Sequence, residues 1–288
     1  MLTTLLALAV MQAGTVGPAL PGDPTAVPTV PPQPPRPAAA EDAGVPVSSR
    51  LERCLSVIRA QPAEALAAAE TWAAQVSGTA RAEAGHCRGL ALVQLGRFGE
   101  AQAAFLQAQE AVAGEEPSYA ARLGGLAGNA ALLGGDAAAA APLLDAARAA
   151  ALAAGEQDMA LGFLIDAATA RATLGRVAEA RASLAGAQET YPQNATVWLF
   201  SAALARQAGE LAEAQAHIER AADLAPRDPQ VALEAGVIAA LAGRMDAAAQ
   251  SWRSVLSVAP DSPFATTARG YLAQIGENGG AGAEPESR

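Results

Sequence analysis

Three observations predict an all-α solenoid of about six antiparallel helix pairs, closed by one C-terminal helix. The 288-residue chain is dominated by alanine and holds only 4% aromatic residues. That mix suits thin helices at close range, because alanine has the best helix propensity and loses no side-chain entropy. A sheet would call for β-branched and aromatic residues that are sparse here. A glycine followed by a polar residue recurs along the chain: Gly96-Arg97, Gly135-Asp136, Gly175-Arg176, Gly209-Glu210 and Gly243-Arg244. Around each glycine the same order of small and large apolar residues repeats.

The period is clearest over 195–262. Gly209 and Gly243 stand 34 residues apart, as do Ala214 and Ala248, and Pro226 and Pro260. A fixed period near 34 marks stacked repeats. Each glycine falls where the first helix of a pair must end and turn back, a left-handed position that glycine adopts at least cost. Five residues later comes Ala101, Ala140, Ala180, Ala214 or Ala248. Four further on comes Phe105, Leu144, Leu184, Ile218 or Trp252, and three beyond that Ala108, Ala147, Ala187, Ala221 or Val255. Spacings of four and three hold these side chains on one helical face. Seven residues before the glycine sits Gly89, Gly128, Ala168, Ala202 or Gly236, a small partner that lets the first helix approach the second. Pro192, Pro226 and Pro260 end the second helices.

Upstream the glycines are 39 and 40 residues apart. The extra length falls at 114–117 and 153–157 and predicts longer connections or longer second helices. Residues 48–76 read as a degenerate first repeat, with Pro62 starting its second helix and Trp72 closing its core. Pro263–Ile275 reads as a capping helix, with Phe264, Ala268, Tyr271, Leu272 and Ile275 on one face. Solenoids need such an end with one polar side.

The small–large–small spacing and terminal prolines resemble the tetratricopeptide (TPR) repeat, over about 48–275. Trp198 occupies that family's early aromatic position. The resemblance implies a non-enzymatic scaffold that holds a peptide or helix of a protein partner in a concave groove. On family positions the groove is lined by Leu90, Leu126, Asn129, Ile165, Thr169, Leu199, Phe200, Arg206, Leu233 and Val237. Leu199 and Phe200 are the first to test. Asn129 and Arg122 match positions of a carboxylate clamp, but the chain has no lysine, so a clamp of that type is not implied. The groove is largely apolar and suits an apolar peptide or partner helix, or packing within the superhelix or against a second copy. The same register sets Cys54 and Cys87 on neighbouring first helices. A disulfide requires Cα atoms within about 7 Å; two buried thiols are the alternative.

The segment from Trp252 through Ala259-Pro260-Asp261 to Arg269 is similar to repeats of bacterial envelope-assembly proteins, such as those that present apocytochrome c or coordinate division-linked wall synthesis. An accessory subunit of an enzyme is a further reading. Residues 1–13 read as a signal peptide, with an apolar run over Leu5–Met11 and Ala13 at the cut. Periplasmic or secreted location follows, with a cytoplasmic protein as the alternative. The run is too short to span a membrane. Residues 14–47 are a proline-rich disordered linker, since proline removes backbone donors. Pro31–Pro35 within it could dock an aromatic groove. From Gly276 to Arg288 a disordered tail is expected.

All 19 basic residues are arginine, so lysine nucleophiles and P-loop lysines are excluded. A formal charge of −10 without a basic run argues against nucleic acid. His86 and His217 fall in different repeats, and HExxH and GxSxG are absent. No metal, cofactor or catalytic set is therefore expected.

Overall fold

The computed structural model describes residues 50–280. The signal peptide, the linker and most of the C-terminal tail read from the sequence lie outside them. The described residues form thirteen helices and no strand. They divide into two compact units, 50–226 and 227–280.

The first unit holds five helix pairs: α1 (Arg50–Val57) with α2 (Pro62–Ala73), α3 (Gly78–Gln94) with α4 (Phe98–Val112), α5 (Pro117–Leu133) with α6 (Ala137–Ala153), α7 (Gln157–Thr173) with α8 (Val177–Thr190), and α9 (Ala195–Gln207) with α10 (Leu211–Leu224). The second unit holds α11 (Pro229–Leu241), α12 (Met245–Val258) and α13 (Pro263–Gly280). Helix α13 continues five residues past Ile275, through Gly276, where the sequence reading places the start of the tail.

All five turn glycines have the left-handed φ that their place requires, from 70° at Gly96 to 81° at Gly135. At each, the next residue's N–H reaches back to close the helix end, as in Arg97 N to Leu92 O, 2.9 Å, and Arg176 N to Arg171 O, 2.8 Å. Side chains cap the starts of α6, α9 and α11. Asn194 Oδ1 accepts from Thr196 N (3.0 Å) and Asp228 Oδ1 from Gln230 N (2.7 Å).

The packing follows the small-against-large register. A Cβ added at Gly89 would lie 2.3 Å from Phe105, and one at Gly128 would lie 2.7 Å from Leu144. At Gly236 it would lie 2.2 Å from Trp252. Hydrogen in place of methyl is what lets each large side chain lie against the opposing backbone. Phe105, Leu144 and Trp252 are accordingly fully buried. Trp252 Nε1 donates to Leu233 O (3.2 Å), and its ring lies 4.9 Å from that of Tyr271, tying α12 to α13.

The longer upstream period is taken up by helix rather than loop. Helices α5, α6 and α7 have 17 residues each, against 13 or 14 in α9 to α12. Within the first unit, first helices touch one another across repeats: α1 with α3, α5 with α7, and α7 with α9. Second helices are not in comparable contact with one another. This unit therefore has an inner face made of α3, α5, α7 and α9.

Candidate functional site: the inner face of the first helices

The inner face is read from side chains six, nine and ten residues before each turn glycine, with Arg206 three before Gly209. In α3 and α5 it is partly open. Leu90, Leu126 and Asn129 are half-buried, and Arg122 beside them is exposed. In α7 and α9 it is closed. Ile165 (3% exposed), Thr169 (8%), Leu199 (2%), Phe200 (3%) and Arg206 (6%) are all buried. Phe200, Ile165 and Thr169 meet Leu184 and Leu204 around a void of only about 10 Å³. Thr169 Oγ1 is committed to Ile165 O (3.0 Å). Ile165, Thr169 and Phe200 are buried where α7, α8 and α9 meet, with Leu184 of α8 against them. That corrects their reading as a groove surface and withdraws Leu199 and Phe200 as the first residues to test. In the second unit Leu233 is half-buried and Val237 is buried, 8% exposed.

Asp166 is a residue of this face that the sequence reading missed. It stands nine residues before Gly175, in the column of Leu126 and Phe200, so its register alone could have found it. Burial raises its pKa, and a hydrogen bond from the Asn129 side chain opposes that rise. Asn129 thereby spends its amide N–H, while its Oδ1 is buried with no hydrogen-bond partner. A buried acceptor left unmet costs about 1–3 kcal/mol, and an N–H donated by a ligand would recover it.

Between α3 and α5 the face opens into a cleft of about 530 Å³, lined by Thr79, Glu83, Glu116, Tyr119 and Arg122. Thr79 Oγ1 donates to Glu116 Oε1 (2.7 Å), and His86 Nδ1 lies 3.1 Å from Tyr119 Oη. Burial, then Arg122, lowers the His86 pKa to about 4. Burial, then Glu83, raises that of Tyr119. The imidazole is therefore neutral in the folded protein. In the unfolded chain it titrates near 6.5. As pH falls from 6.5 to about 4 the unfolded state gains a proton that the folded state refuses. Stability falls across that window and levels off below it, by up to about 3 kcal/mol. Denaturant midpoints at pH 7 and pH 4.5 should differ more for the parent than for His86→Gln.

At the edge of this face the sulfurs of Cys54 (α1) and Cys87 (α3) lie at bonding distance, with Cα atoms 6.0 Å apart. Among the described residues, no group of three or more His, Cys, Asp or Glu side chains could hold a metal ion. No described helix is long and apolar enough to cross a membrane.

No protein-family model matches the sequence, and no curated protein matches it. Solved structures do match. TTC0263, a thermophilic TPR protein in Thermus thermophilus, superposes with a TM-score of 0.54 at 20% identity, covering 67% of this chain and 99% of that one. BtubC (BKLC) from P. vanneervenii gives a TM-score of 0.52 at 18% identity, over 84% of this chain and 96% of its own. Paired helices, left-handed turn glycines and small-against-large packing, with these superpositions, identify the fold as that of the tetratricopeptide repeat.

Proposed function

We propose that this chain is a non-enzymatic interaction scaffold whose inner face at α3, α5 and α7 holds an apolar segment or helix of a protein partner. The observation that carries this reading is the Asn129–Asp166 pair. A buried acceptor without a donor lies beside two half-buried leucines, Leu90 and Leu126. The leucines offer apolar contact, and Asn129 Oδ1 offers a place for one N–H of the incoming chain. Leu126→Ala and Asn129→Ala should each weaken partner binding about tenfold in titrations with the captured partner, with Tm close to the parent's. Unchanged binding by both variants would move the site off this face.

The same reading takes Cys54–Cys87 as a disulfide and places the protein in an oxidising envelope compartment, where such bonds persist. The cysteines are 33 residues apart, a loop whose closure is worth about 3–4 kcal/mol. Reduction should lower Tm, and Cys54→Ser should remove the difference between reduced and oxidised samples. Equal melting of parent protein with and without reductant would contradict the bond.

A further inference from the structure

Helix α1 is packed unlike the other first helices of its unit. Helices α3, α5, α7 and α9 each lie between two second helices, whereas α1 rests on α2 and α3 only. It has no fully buried residue and exposes Leu55 and Val57. On its open side a cavity of about 690 Å³ lies against α2, with a floor of Ala65, Ala68, Ala69 and Trp72. The Arg50 guanidinium sits 5.8 Å from the centre of the Trp72 ring. Gln61 and Gln75 bring further donor groups to the rim, and Glu64 brings an acid.

We propose that this cavity is covered by the chain's own proline-rich run, Pro31–Pro37. Forty-nine residues precede Arg50, which itself lines the cavity. The run's end is 13 residues before Arg50, a tether that reaches at most about 45 Å and so can fold back onto α2. Its chemistry matches the cavity. In ProProGlnProProArgPro only Gln33 and Arg36 carry a backbone N–H, so the run presents carbonyl acceptors and almost no donors. The cavity presents side-chain donors around an alanine and tryptophan floor, the kind of surface on which pyrrolidine rings pack. Arg36 has an opposite charge available in Glu64. Proline's fixed φ means that ordering the run costs little entropy. The run thus serves as the end cap that the first repeat lacks.

A photo-crosslinker placed at Gln33 in the full chain tests this. Irradiation should give crosslinks within one chain, mapped to 68–75, the second half of α2 and the two residues after it. Ala68→Arg, at an exposed position that fills the cavity, should cut their yield about fivefold or more with the helical signal unchanged. A second arm replaces Pro31, Pro32, Pro34 and Pro35 by serine. Amide exchange in α1 and α2 should then quicken about tenfold. Crosslinks between chains would show that a second copy fills the cavity and would overturn the proposal. So would a yield unaffected by Ala68→Arg, or exchange unaffected by the serine substitutions.

Discussion

Gly236→Leu is expected to destabilise the second unit by about 3 kcal/mol or more, because overpacking here meets a side chain that cannot step aside. The Cβ alone would sit 2.2 Å from Trp252 Nε1. The indole is 1% exposed, donates to Leu233 O and stacks near Tyr271, so moving it disturbs α11, α12 and α13 together. Amide exchange across 229–272 should quicken well before that of the α3–α7 core. Gly162→Ala is the matched control. It sits inside α7 with open space around its Cβ position, and should stabilise by roughly 0.5–1 kcal/mol through helix propensity alone. Opposite signs for these two glycines would show that packing, not glycine's flexibility, sets the requirement at 236. A Tm unchanged by Gly236→Leu would refute the register itself.

Phe200→Asp should cost about 4 kcal/mol or more. Removing a buried phenylalanine already costs about 3–5 kcal/mol, and the carboxylate would enter an apolar site without a partner. Phe200 is packed with Ile165, Ala168, Leu184 and Leu204, and the void beside it is too small for water to follow the charge. Denaturation followed by circular dichroism should show the midpoint collapse. Any loss of partner binding would then report loss of fold rather than loss of a contact. Phe200→Leu, which keeps most of the volume, should cost no more than about 1.5 kcal/mol. A Phe200→Asp protein that melts like the parent would return this residue to the interaction surface.

The contrast between Gly236 and Phe200 shows what a sequence of this kind carries. The turn glycines and their small–large partners were legible because each answers a local demand: a left-handed φ at Gly135, or room for Leu144 above Gly128. Such demands recur at fixed spacing, so five copies reinforce one another. The inner face was legible only in direction. Register gives a column for Ile165, Thr169 and Phe200, but accessibility depends on how closely α7, α8 and α9 approach one another, and that is set by many side chains at once. Asp166 was overlooked because attention to apolar columns hides a carboxylate in one of them. Only beside Asn129, on the neighbouring helix, does its position acquire chemical meaning. The additional turn in α5, α6 and α7 was likewise visible as length; a longer second helix was one of the two expectations, whereas the longer first helices α5 and α7 were not foreseen.

The measurement that tests the functional account most directly is in-cell photo-crosslinking from Leu126, on the inner face, compared with crosslinking from exposed Ala138 on α6. The account predicts that Leu126 yields a discrete protein adduct, that Asn129→Ala diminishes it, and that Ala138 does not form it. Equal adducts from both positions, or one from Ala138 alone, would place the partner on the outer helices and contradict the assignment of the inner face.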